Sequence, residues 1–158
     1  MNKYFETLEL HKILEMLSHE ASNAKTKELA LSIEPLSDLY DVQKEIDKTS
    51  DALDLSCRFG TPVFNNFKNI TETVKRAESG SNLSLRELLD VGQMLYQIRQ
   101  LANWFKQCEN IETDLSYLFS TLSPNKYLEE KIANSIIDEN ELADAASAEL
   151  ASIRRRIV

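Results

Sequence analysis

The apolar positions of this chain recur at intervals of three and four along most of its length, the spacing that lines up one face of an α-helix. Leu10, Ile13, Leu14 and Leu17 put such a face on a first helix, and that face reads as core. A second stretch, Ala21, Ala24, Leu29, Ala30 and Ile33, runs up to Pro35, whose ring cannot continue a helix and pushes Glu34 toward an extended backbone. Ser37 or Asp38 then caps a third helix. Its apolar positions, Leu39, Val42, Ile46, Thr49 and Leu53, alternate spacings of three and four and make a narrow seam suited to packing against another helix.

Residues 58–69 interrupt the pattern, with Phe59, Gly60, Pro62, Asn65 and Asn66 supplying turn chemistry. A short helix over residues 70–78 ends at Gly80, which takes the left-handed conformation that helix ends favour. Ser84, with Glu87 three residues later, is a capping box for the longest helix, residues 85–108. At roughly 24 residues it is about 36 Å long. Leu88, Val91, Leu95, Ile98, Ala102 and Phe105 form its apolar stripe, with Arg86, Asp90, Gln93, Gln97 and Gln100 off it. A shorter piece carries Leu115, Leu118, Phe119 and Leu122, after which Ser123 and Pro124 open a helix with Leu128, Ile132 and Ile136. An acidic turn, residues 138–141, leads to a final helix with Ala146, Leu150, Ile153 and Ile157. That helix reaches Val158 with no stop signal, the expectation for a piece of a longer chain. The whole reads as an all-α, irregular multi-helix region spanning residues 1–158, with a possible division into 1–80 and 81–158.

Composition narrows the picture without changing it. The 158 residues hold only three Gly and three Pro, too few for a turn-rich sandwich or barrel. Eighteen Lys and Arg stand against 26 Asp and Glu, a formal net charge of −8. Strong nucleic-acid affinity needs Lys and Arg to displace counterions from phosphates, so this acidic region by itself is expected to bind nucleic acid weakly or not at all. No apolar run is long enough for a membrane span and the first ten residues lack a secretion signal, which leads to a cytoplasmic expectation. Cys57 and Cys108 cannot build a disulfide framework and read as two reduced, buried thiols.

Candidate chemistry is sparse. His11 and His19 lie about two helical turns apart with no partner at ligand spacing, so surface or core-edge histidines are the reading. Asp138, Glu139, Glu141 and Asp144 cluster, but without the spacing or central Gly of a calcium loop. Phe105 belongs to the packed stripe and Trp104 to a helix interface, with only Lys106 as a basic neighbour, short of an aromatic platform for bases. Arg154, Arg155 and Arg156 form the sole compact basic run and are the candidate nucleic-acid contacts, weighed against an ordinary solvated or salt-bridged run. No glycine-rich phosphate loop or nucleophile elbow occurs. Residue chemistry therefore identifies no catalytic, cofactor-binding or metal-binding residue.

Several stretches nevertheless resemble the beginning of one family. Thr7-Leu8-Glu9-Leu10-His11-Lys12-Ile13-Leu14 is similar to the TLEF-x-KIL opening of the type-two MutS proteins (MutS-II), the branch of the mismatch-repair ATPase superfamily that lacks the mismatch-reading domain. Further similarities follow in order: Lys27-Glu28-Leu29-Ala30 ahead of Pro35, Thr49 with Asp51-Ala52-Leu53, Phe59-Gly60-Thr61-Pro62, Arg76-Ala77-Glu78-Ser79-Gly80, and Leu83 with Glu87-Leu88-Leu89. The last runs from Ile136-Ile137-Asp138 through Glu141, Asp144 and Ala146-Ser147 to Leu150 and Ile153-Arg154, and resembles the family's ID-x-x-GE-x-x-D-x-AS-x-x-L-x-x-IR element. Two positions depart from the pattern: Thr26 and Asn140 stand where the family has Gly. Asn tolerates the left-handed conformation, so the acidic turn is expected to survive, while Thr26 implies a helix that begins or packs differently.

The resemblance implies a multidomain protein several times longer, in which core and lever helices begin in this region and a clamp, a dimerising ATPase domain and a small nuclease domain follow. It implies ATP and Mg²⁺ for the full-length protein, a homodimer through the ATPase domain, and action on branched DNA, on stalled ribosomes, or on both. None of the family's ATP-binding or nuclease motifs lies in these residues. The expected role is a non-catalytic N-terminal module, monomeric by itself, whose final helix starts a lever with Leu150, Ile153 and Ile157 on the core side. The alternative from a different class is a free-standing helical adaptor that binds a protein through the seam of Leu39, Val42, Ile46 and Leu53.

Overall fold

A computed structural model describes residues 6–64, 67–108 and 111–157, and it is all-helical. The helices are α1 (Leu10–Glu20), α2 (Ala24–Leu31), α3 (Leu39–Phe59), α4 (Thr71–Glu78), α5 (Leu85–Lys106), α6 (Ser116–Ser120), α7 (Lys126–Ser135) and α8 (Ala148–Ile157), with a 3-10 turn at Asp144–Ala146. Among the described residues no sheet forms; Ile136 and Leu142 make an isolated antiparallel bridge. The chain divides into two compact units, one of Met1–Phe67 with Glu112–Leu115, the other of Lys68–Ile111 with Ser116–Val158.

In the first unit α1 follows Glu9, whose φ of 54° is left-handed, and α1 packs against α2. Asn23 caps α2 by accepting from the Thr26 N–H at 2.9 Å, so Thr26 sits in an ordinary first turn. The first helix face is covered only in part: Leu10 and Leu14 are half-buried, Ile13 and Leu17 are exposed, and Ser18 is the buried residue. Of the second stretch only Ala30 is buried, while Leu29 and Ile33 face water. The two short helices pack on each other, which covers only part of each apolar face. Asp38, not Ser37, caps α3, accepting from the N–H groups of Tyr40 and Asp41 at 2.9 and 3.2 Å. The side of α3 that is covered runs through Lys48, Asp51, Leu55 and Phe59, with Leu55 only 1% exposed. The Leu39, Ile46 and Leu53 side is exposed. Cys57, expected in the core, is exposed one turn further along, because it lies off the covered line of α3.

The second unit contains the better-packed structure. Gly80 ends α4 with φ 83°; its N–H donates to the Ala77 carbonyl and the Ser81 N–H to the Arg76 carbonyl, the paired bonds of a left-handed helix stop. The Ser84–Glu87 capping box forms as the sequence indicates. The centre of burial on α5 is displaced from the expected stripe. Leu88, Val91, Leu95, Ile98, Ala102 and Phe105 are half-buried, whereas Leu101 and Gln97, placed off the stripe by its polarity, are buried. Covered residues continue around more than one side of α5, including Gly92 and Arg99, so a single-face pattern underestimates its burial.

Beyond α5, Cys108 is buried, and burial pushes its thiol pKa up. Phe119 of α6 stacks on Phe105 at 4.1 Å and meets Trp104 at 5.8 Å, which places Trp104 at a helix interface. Asn125, not Ser123, caps α7, accepting from the Leu128 N–H at 3.0 Å. The helix ends at Ser135, so Ile136 is extended and buried instead of helical. Ser147 accepts from the Leu150 N–H at 3.0 Å and opens α8, leaving Ala146 in the 3-10 turn before it.

Candidate nucleic-acid interface

The three arginines singled out by the sequence lie in the last turns of α8. Successive residues of an α-helix are rotated by about 100°. Arg154, Arg155 and Arg156 therefore fan around the helix and do not form one flat patch. Arg154 is half-buried, and its Nη1 donates to Asp144 Oδ1 across the 3-10 turn. Arg155 and Arg156 are exposed, with Arg155 Nε reaching back to the Ala151 carbonyl at 3.3 Å. The structure thus separates the run into one arginine that secures α8 to the preceding turn and two that face water. Their position in the last turns also sets positive charge against the carbonyl end of the helix, a favourable placement without any ligand. On the expected core side of α8, Leu150 is half-buried and Ile153 is exposed; the Ile157 side chain lies outside the described residues.

The acidic turn forms by a different device from the left-handed residue expected at Asn140. Among the described residues only Glu9 is a non-glycine with positive φ, so Asn140 keeps an ordinary backbone. Its N–H instead donates to Asp138 Oδ1 at 2.7 Å, and Ile137 N–H donates to the Glu141 carbonyl at 2.9 Å. Glu139 accepts from Arg86 of α5 at 2.8 Å. Asp90, on the same helix, accepts from Lys68 at 2.6 Å and lies 3.7 Å from Arg86, while Arg76 of α4 pairs with Glu87. The Arg86–Glu139 pair therefore ties the acidic turn to the N-terminal half of α5, whose own acids Glu87 and Asp90 are met by Arg76 and Lys68. Among the described residues no three His, Cys, Asp or Glu side chains gather as a metal site, and both histidines are exposed.

Two polar anchors were not visible as motifs. Arg99 of α5 makes a two-pronged pair with Glu129 of α7, Nε to Oε2 at 2.8 Å and Nη2 to Oε1 at 2.7 Å, and stands 5.3 Å from the Tyr96 ring. The side-chain hydrogen bond holds the Glu129 carboxyl below its ordinary range and raises Arg99 in turn. About two turns before Arg99, Gly92 lets Ile132 approach the α5 backbone. In the first unit, Asp51 of α3 accepts both the Thr113 hydroxyl at 2.8 Å and the Asp114 N–H at 2.7 Å. A glycine inside an otherwise strong helix is the one sequence signal that marks such a close approach in advance.

No protein-family model matches the chain. Curated relatives do, along its length. An Endonuclease MutS2 from Clostridium perfringens (strain SM101 / Type A) is 34% identical over 158 residues, 99% of this chain. The protein of the same name from Acetivibrio thermocellus is 37% identical over 159 residues, 98% of this chain, and that from Agathobacter rectalis 35% over 157 residues, also 98%. In each case the chain spans 20% of the relative's own length.

Proposed function

The chain is a MutS-II sequence, homologous to the N-terminal region of the relatives named MutS2, and on that premise we propose that it is the non-catalytic structural module of a longer MutS-II ATPase. The carrying observation is the end-to-end alignment at 34% and 37% identity with proteins five times its length. ATP and Mg²⁺ enter this reading only with the rest of the protein. The 158 residues contain no glycine-rich loop to cradle phosphates, and no clustered donor set for a cation is present among the described residues.

In this proposal the second unit is the mechanical part. Close packing of Ile132 on Gly92 and the Arg99–Glu129 pair join α7 to α5 at two levels, and the Arg86–Glu139 and Arg154–Asp144 pairs carry that attachment through the acidic turn to α8. A helix continued from α8 would then move with α5 as a lever, relaying the nucleotide state of an ATPase domain to a clamp on branched DNA or a stalled ribosome. A cytoplasmic location suits that work; no helix among the described residues is long and apolar enough to cross a membrane. Arg155 and Arg156 are the exposed cations available for auxiliary phosphate contact.

The test is to assay the full-length protein and the 158-residue chain side by side for ATP turnover and for binding to a four-way DNA junction and to ribosomes. Turnover and binding by the full-length protein, with neither in the chain, is the expected result; ATP hydrolysis by the chain alone would sink the proposal. A second reading, the free-standing helical adaptor, is favoured by one observation, the exposure of Leu39, Ile46 and Leu53 on α3.

A further inference from the structure

Between the end of α5 and the start of α6 the chain leaves the second unit, joins the first as residues 112–115, and returns to the second. Asp51 Oδ2, on the covered side of α3, accepts the Thr113 hydroxyl at 2.8 Å and the Asp114 N–H at 2.7 Å. Thr113 Oγ1 in turn accepts the Leu115 N–H at 3.1 Å, which folds the segment into a tight turn with two of its donors aimed at one acceptor.

Two features make this attachment reversible. The first is that the helices at either end of the segment are held together without it. Phe119 of α6 stacks on Phe105 of α5 with ring centroids 4.1 Å apart and meets Trp104 at 5.8 Å, so α5 and α6 stay joined whether or not the connection between them rests on α3. The second is that the hold is small and polar. A hydrogen bond to a charged group is worth about one factor of ten or somewhat more. Against it, Glu112 and Asp114 are exposed acids on either side of Thr113, so attachment gathers three carboxylates on one stretch of surface. A ratio on the order of 10² in favour of the attached form leaves the detached form within the roughly 0.1–10% range of an accessible minor state.

We infer that residues 112–115 are a releasable strap. Latched by Asp51, they tie the α5–α6 connection to α3; released, they leave both units folded, with the chain still passing between the units at residues 67–68. The test is residue-resolved amide exchange on the intact 158-residue chain in a series of low urea concentrations, for the wild type, Asp51→Ala, Asp51→Asn and Thr113→Val. A local opening exposes little surface, so its rate is insensitive to urea, whereas exchange through unfolding of a unit is not. The expected result is urea-independent exchange of the Asp114 and Leu115 amides, slowed on the order of 10²-fold, beside much slower and urea-dependent exchange of Leu55 in α3 and Leu101 in α5. Asp51→Ala should speed Asp114 at least tenfold with Leu55 and Leu101 unchanged, and Asp51→Asn, which keeps an acceptor oxygen, should fall between it and the wild type. Asp114 sharing the rate and urea dependence of Leu55 would overturn the inference, because the segment would then open only when the first unit unfolds. No change at Asp114 in Asp51→Ala would also overturn it, by removing the latch. Thr113→Val leaves α3 intact and repeats the readout should Asp51→Ala fail to fold; loss of the fold in both variants would make residues 112–115 an integral part of the unit and end the strap reading.

Discussion

Gly92 on α5 stands so close to Ile132 on α7 that a β-carbon placed on it would lie 3.0 Å from Ile132 Cγ2 and 3.6 Å from Ile132 Cβ. A glycine in mid-helix costs about 1 kcal/mol relative to alanine. Here that cost is offset by the approach of two helices which are then tied by Arg99 and Glu129.

That relationship predicts a sign change in a double-mutant cycle. Gly92→Ala alone is expected to destabilise by about 1 kcal/mol, because overpacking outweighs the gain in helix propensity. In an Ile132→Ala background, itself about 2–4 kcal/mol less stable, the same Gly92→Ala change should stabilise by roughly 0.5–1 kcal/mol. Urea unfolding of the four proteins measures the coupling; strictly additive effects would show that the two residues do not meet.

The Arg99–Glu129 pair predicts a pH dependence of definite sign. The pair depresses Glu129 below its ordinary value of 4.5, so its contribution is fully present above that pH and is lost as pH falls through the lowered value. Thermal melts across about pH 3 to 7 should show the wild type losing stability at the acid end, with Glu129→Gln less stable at neutral pH and flatter below 4.5. Parallel curves for the two proteins would remove the pair from the account.

Asp51 predicts a local effect. Replacing it with Ala leaves the Asp114 N–H and the Thr113 hydroxyl without their acceptor, a loss of about 1–3 kcal/mol for the attachment of residues 112–115 to α3. Amide exchange at Asp114 should accelerate by at least tenfold in Asp51→Ala, while amides in the middle of α5 keep their protection. Unchanged exchange at Asp114 would refute the assignment.

Much of this architecture was legible from the sequence, and the exceptions have physical causes. Helix caps and stops at Asp38, Ser84–Glu87 and Gly80 are local, and each is visible within a few residues of sequence. Burial is not local. The Leu10, Ile13 and Leu17 face and the Leu39, Ile46 and Leu53 seam are as apolar as any core face, yet nothing in periodicity says whether a neighbour is present. Gln97 was misplaced because polarity predicts exposure only when a helix has one covered side. At the candidate interface the three adjacent arginines leave two readings open in sequence, a phosphate contact or a solvated, salt-bridged run. Helical rotation and the distant partner Asp144 divide it, and that pairing spans ten residues with no motif to announce it.

The acidic balance yields a prediction for nucleic acid. With a net charge of −8 and only Arg155 and Arg156 exposed at the end of α8, the isolated chain should bind a DNA junction no more tightly than a non-specific protein at physiological salt. In the full-length protein, Arg155→Ala with Arg156→Ala should lower the salt dependence of DNA binding by up to about two counterions if both touch phosphate. Fluorescence anisotropy across a salt series reads both effects, and tight, salt-insensitive binding by the chain alone would contradict the reading.

Whether these residues work as part of a larger protein is read most directly from the intact mass of the native species, captured from its source cell with an antibody raised against the 18.1 kDa chain. A species several times heavier, in keeping with relatives of which this region is 20%, is the predicted result. A native protein of 18.1 kDa would contradict it, remove ATPase and nuclease from the account, and turn attention to what docks on the seam of α3.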